Sequence, residues 1–175
     1  MNQAMWDKAR AFHGHECPGL AIGVKAVEAV QEKWGFDLGN PDEDIVCVTE
    51  NDACGVDAVQ ALLSCTMGKG NMILRPTGKM AFSFFDRKNG RKMRVMLTAK
   101  NAGMDRKDYR QYLLDAPVDE IFKITEPSFD LPARARLFNS VACEVCGEVV
   151  PEYKMRLQDG KKVCLDCFVD YGRGW

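Results

Sequence analysis

Apolar residues recur at helical spacing along the first third of the chain. Met5, Trp6, Ala9 and Phe12 predict a short helix over roughly Gln3 to Phe12. Leu20, Val24, Val27, Val30 and Trp34 predict a longer helix that starts at Pro18 and stops at Gly35. Gly19, Ala21 and Gly23 keep its first turns small enough for another backbone to approach. After an acidic turn, Ile45, Val46, Val48 and Thr49 read as a buried strand with Cys47 as core filling. Val56 to Ser64 reads as a third helix.

From Met72 the period changes to alternation. A short strand, a turn at Pro76 to Gly78, a strand through Phe82, Phe84 and Phe85, a turn at Asn89-Gly90 and a strand from Met93 to Leu97 follow in order. Asn-Gly between such runs is a strong hairpin signal. Asp105 to Leu114 reads as a helix and Val118 to Thr125 as a last strand, after which Pro127 and Pro132 mark a linker. The fold class expected is α+β: a core domain of helices on a mostly antiparallel sheet over residues 1–126, a linker over 127–140, and a small treble-clef or zinc-ribbon-like module over 141–175.

That module is set by cysteine spacing. Cys143 and Cys146 form one CxxC knuckle and Cys164 and Cys167 another, with 17 residues between them. Two knuckles supply the four thiolates of a closed tetrahedral zinc site, which folds a module and leaves no open coordination position for catalysis.

A second concentration of chemistry lies in FHGHECPG, which contains both histidines of the protein, His13 and His15, and Cys17. In an extended segment these alternate residues would point to one side. Pro18 suits the first position of a helix and makes Cys17 its N-cap, where the helix dipole favours thiolate. Cys54 has a similar place before the third helix, so Cys17 and Cys54 form the natural pair. Cys65 lies at that helix's far end, roughly 16 Å away at about 1.5 Å per residue, and joins a site only across a dimer interface. Glu50 and Asp52 stand at the end of the first strand, where a rigid element presents functional groups. The GKGN segment lacks Walker spacing. It reads either as a helix stop or as a tight anion-holding turn with Lys69 as the cofactor-binding charge.

The net charge of -1 hides an asymmetry, since Arg75 to Arg110 carries 11 Lys and Arg against 3 Asp and Glu. This block is a solvated strand face, an anion- or nucleic-acid-binding surface, or a patch that meets the acidic half of a second copy. With no run of about 20 apolar residues and no apolar segment near Met1 of the kind a secretory signal needs, the expected location is the cytoplasm, without membrane association.

In order, FHGHECPGLAIG, CGVDAVQALLSCTMGKGN and the two-knuckle module resemble the FmdE family, named for a component of formylmethanofuran dehydrogenase. The resemblance implies an α+β core domain in a tight homodimer, a zinc module, and a metal or active-site region at His13, His15, Cys17 and Cys54. Formylmethanofuran oxidation needs a molybdenum or tungsten pterin and iron-sulfur clusters, and this chain has no cluster motif beyond its zinc module. An accessory role beside other dehydrogenase subunits, or a stand-alone relative, is therefore what the resemblance implies. On this reading Cys17, Cys54 and one histidine, preferably His15, hold a transition metal (zinc, nickel or iron), with a fourth position open; His13 orients the site or transfers protons. The competing readings are a non-catalytic binding module for nucleic acid or a partner protein, and a thiol redox pair of Cys17 and Cys54.

Overall fold

The computed structural model describes residues 2–35 and 44–173; the acidic turn expected before the first strand falls largely outside them. Contacts divide the chain into two compact units, Met1–Ala135 and Arg136–Trp175.

In the first unit, α1 (Gln3–His13) and α2 (Pro18–Trp34) precede β1 (Ile45–Thr49), α3 (Gly55–Leu63) and β2 (Met72–Leu74). The hairpin β3 (Ala81–Asp86) and β4 (Arg91–Leu97), then α4 (Arg106–Asp115), α5 (Val118–Ile121) and β5 (Phe122–Thr125), complete it. The sheet order is β2-β1-β3-β4-β5, with β1–β2 parallel and every other pair antiparallel. One departure from expectation is Val118–Ile121, which is a helical turn and not the start of the last strand. Val118 and Ile121 are both buried, a spacing of three that a helical turn puts on one side.

Alternation decides what each sheet face meets. Cys47, Phe82, Phe84, Met93 and Val95 join the core built with α1 to α4, whereas Val46, Val48 and Phe85 form a smaller cluster on the rear face with Ile73 and Phe129. Every residue of β1 is buried because both of its faces are covered. Phe129 lies within the stretch expected to be a linker.

Two buried carboxylates hold the sheet's polar ends. Asp86 accepts hydrogen bonds from the Lys88 and Asn89 amides and from the Asn89 and Arg91 side chains, which clips the β3–β4 turn. Burial alone would raise its pKa, but the bonds from Asn89 and Arg91 outweigh that and leave it below the usual value. Glu50 is held low chiefly by the Arg94 guanidinium, which donates from Nε at 2.5 Å and Nη2 at 3.1 Å. A carboxylate depressed in the folded state contributes stability above its unfolded pKa, and this contribution is lost as pH falls through the folded value. The thermal midpoint is therefore expected to hold from about pH 7 to about pH 5 and to drop below about pH 4. The drop should be shallower in a Glu50→Gln, Asp86→Asn variant. At neutral pH, Glu50→Gln alone should cost about 3 kcal/mol in denaturant titrations, because it strands a partly buried guanidinium.

The second unit has little regular structure: hairpins β6–β7 (Ser140–Ala142, Val149–Pro151) and β8–β9 (Arg156–Gln158, Lys161–Val163), with one 3-10 turn at Glu152–Lys154. Its buried cluster comprises only Cys143, Val163 and Cys164, with Val150, Cys167 and Phe168 packed around them.

Candidate metal centre and the adjoining cavity

The first centre forms where α1 hands over to α2. α1 ends at His13 because Gly14 takes a left-handed conformation, φ 86°, and its N–H closes the helix on Arg10. The chain then extends to Cys17, whose Sγ accepts the Leu20 N–H at 3.3 Å as the N-cap of α2, with Pro18 in the first turn. His13 thus sits at a helix end and Cys17 at a helix start, so a chain reversal, and not an extended strand, brings them together. The His13 and His15 rings lie 4.3 Å apart, and the ligand atoms of His13, His15 and Cys17 all fall within 4.8 Å of one another. Glu16 fastens this turn by pairing with Arg10 at 3.1 Å and with Arg110 of α4 at 2.6 Å.

α3 approaches from the other side. Gly19 makes room for it: a Cβ there would lie 3.1 Å from Cys54 Cβ and within 3.8 Å of the Cys17 sulfur. Cys54 occupies the N-cap position of α3 but makes no cap bond; its side chain is within hydrogen-bonding reach of Cys17. Burial, and then the neighbouring Cys17, push the Cys54 thiol above its ordinary pKa. One turn on, Asp57 Oδ2 lies 2.7 Å from His13 Nδ1, while His13 Nε2 lies 3.8 Å from Cys17 Sγ. A carboxylate on one ring nitrogen fixes the tautomer and leaves the other nitrogen free to coordinate. The donor set of two imidazoles and two nearby thiols suits zinc and other borderline metals.

Asp57 is a member of this centre that the sequence motifs do not single out. Its one local signal is the spacing of three from Cys54, which places both on one side of α3. A cavity of about 310 Å³ opens beside the centre, lined by His13, Asn51, Asp52, Cys54, Asp57 and Met72 among others. Asn51 has a scaffold role here, donating to the Lys79 and Ala81 carbonyls and accepting the Ala53 N–H.

Cys65 lies elsewhere, fully buried in the core with its Sγ donating to the Ile45 carbonyl, and burial raises its pKa to about 12. Lys69 is near enough to draw that thiol's pKa down in part, and it does not line the cavity beside His13. Asp52 does line that cavity, whereas Glu50 is turned to Arg94.

The four cysteines of the second unit form the other cluster, their sulfurs also within 4.8 Å. Amide N–H groups of Val145 and Cys164 donate to Cys143 Sγ at 3.4 and 3.3 Å. Such bonds, led by that of Cys146, lower the Cys143 pKa to about 6, favouring the ligating thiolate.

Residues 12–123 match the family described as FmdE, molybdenum formylmethanofuran dehydrogenase operon. The chain belongs to the FmdE family. Residues 136–171 match the prokaryotic DksA/TraR C4-type zinc finger, so the FmdE domain is followed by a zinc-binding finger. The crystal structure of an FmdE-like protein of tungsten formylmethanofuran dehydrogenase from Syntrophus aciditrophicus superposes with a TM-score of 0.67 at 25% identity, covering 94% of this chain and 90% of that one. A probable S-adenosyl-L-methionine-binding protein of Archaeoglobus fulgidus is 29% identical over 203 residues, covering 95% of this chain and 54% of that protein. This chain thus spans about half the length of that curated relative. No described helix is long and apolar enough to cross a membrane.

Proposed function

We propose that the FmdE domain is a metal-dependent small-molecule site. Its ligands are His13, His15 and Cys17, with Cys54 beside them, and it works as a homodimeric accessory protein or relative of formylmethanofuran dehydrogenase. The observation that carries this reading is the Asp57–His13–Cys17 chain of contacts, at 2.7 and 3.8 Å, with His13 lining the cavity. His13, given an orienting role from the sequence alone, has the supported geometry of a ligand, and Asp57 takes the orienting role. A bound divalent ion supplies Lewis-acid activation of whatever occupies an open coordination position. The chain's part is to fix the His13 ring through Asp57, to hold Cys17 on the α2 amides, and to offer a walled cavity alongside.

Purified protein is expected to contain two metal ions per chain. Cys17→Ser should remove one and leave the finger's zinc, and Asp57→Asn should weaken that one ion by about 10–100-fold in chelator competition. One ion per chain, lost entirely on replacing Cys143, would sink the proposal.

A more specific reading takes the adjoining cavity as a site for S-adenosyl-L-methionine. The cavity wall bears the carboxylates of Asp52 and Asp57 and no Lys or Arg, which suits a sulfonium and an ammonium group. Calorimetry should then show tighter binding of S-adenosyl-L-methionine than of its uncharged thioether product, S-adenosylhomocysteine. Equal binding removes this reading and leaves the metal site standing.

A further inference from the structure

The basic block around Arg75 has no part in the metal centre, yet the fold concentrates some of it around a second cavity of about 310 Å³. Arg75, Lys79, Arg94, Thr125 and Ser128 line it, together with Glu50. In the sheet register Arg94 stands opposite Ser83 on β3 and Thr125 on β5, and Ser83 opposite Val48 of the rear cluster. Directly opposed residues share a face, so this cavity belongs to the rear of the sheet, away from the helices.

Its charges do not cancel. The Glu50 carboxylate is saturated by two bonds from Arg94 and one from the Thr77 hydroxyl at 3.0 Å. Glu126, also at this cavity, pairs outward with Lys92 at 3.1 Å. Arg75 and Lys79 make no ion pair among the described residues. Both are pre-positioned by the turn between them, because the Arg75 N–H donates to the Thr49 carbonyl at 2.8 Å and the Gly78 N–H to the Glu50 carbonyl at 2.9 Å. The Arg75 guanidinium also stacks 4.5 Å over the Phe129 ring. Stacking uses the face of the guanidinium and leaves its N–H edge for a planar or tetrahedral oxyanion. Thr125 and Ser128 add hydroxyl donors.

We infer that this rear cavity is a binding site for a phosphate group, held between Arg75 and Lys79 on a neutralised Glu50–Arg94 base. It is independent of the metal centre: the first cavity offers carboxylates and no cation, whereas this one offers uncompensated cations.

The test uses the full metal-loaded chain and titrates inorganic phosphate, ribose 5-phosphate and a single-stranded oligonucleotide, with binding followed by calorimetry and phosphorus NMR. Saturable binding of phosphate or ribose 5-phosphate is expected, weakened about tenfold or more by Arg75→Gln and by Lys79→Gln. Arg106→Gln, in the same basic block but on α4, should leave it unchanged. Tighter binding of ribose 5-phosphate identifies an organic phosphate as the ligand, and tighter binding of the inorganic ion a free phosphate. Both support the site. Absence of saturable binding at millimolar concentration, equal losses in all three variants, or binding of the oligonucleotide alone would overturn it. Arg75 and Lys79 are exposed, so unchanged unfolding midpoints will separate lost binding from lost structure.

Discussion

Removing zinc from the full chain is expected to unfold Arg136–Trp175 and leave Met1–Ala135 folded. The finger's buried side chains are few, its strands are three residues long, and Leu157 and Val169 are 74% and 69% exposed. So small an apolar cluster does not offset the chain entropy of ordering a unit of this size. Metal–thiolate bonding, with apparent folding energies of about 10 kcal/mol in such modules, supplies what packing does not. Chelator treatment, or Cys164→Ser, should therefore abolish amide exchange protection at β6 to β9 while protection in β1, β3 and α2 persists. A metal-free finger that kept its protected amides would show that packing alone holds it.

Gly23→Ala is expected to be the most damaging single-methyl change in the core domain. A Cβ at Gly23 would lie 2.2 Å from the Gly55 carbonyl oxygen and 2.6 Å from Gly55 Cα, so the obstacle is backbone and cannot rotate aside. In isolation alanine favours a helix over glycine by about 1 kcal/mol, so only the collision with α3 can reverse the sign. Overpacking against backbone should cost about 3 kcal/mol in denaturant unfolding. α3 also carries Cys54 and Asp57. Pushing it off α2 should therefore loosen the Asp57–His13 contact and lower metal affinity at the first centre. Gly68→Ala is the control, since a Cβ there meets nothing within 4 Å and stability should move by less than about 0.5 kcal/mol. A Gly23→Ala protein as stable as the parent would mean that α2 and α3 can separate without loss.

Local signals carry much of the fold. The 3.6-residue period locates α1 and α2, Cys17-Pro18 marks the start of α2, and Asn89-Gly90 marks the turn between β3 and β4, where Gly90 has φ 68°. The small residues of α2 point to a close neighbour, which proves to be the start of α3 at Gly55. Val118–Ile121 reads as strand from sequence because β-branched residues next to a true strand carry the same local preference. Burial of Val118 and Ile121 on one side makes it a helical turn instead.

By itself the sequence determined which residues carry chemistry here. Two CxxC knuckles at one spacing define a closed four-thiolate site whatever the remaining chain does, and His13, His15 and Cys17 are close because they are neighbours along the chain. Only the tertiary structure decided what surrounds them. The His13–Asp57 contact spans 44 positions and the Glu50–Arg94 pair also 44, and both depend on how helices and strands pack. The same packing sorted charge to opposite sides of β1, with carboxylates beside the metal centre and uncompensated cations on the rear face. Local spacing reports chemistry within a helical turn or a hairpin, whereas the partner that orients a ligand or neutralises a carboxylate comes from wherever the chain folds back.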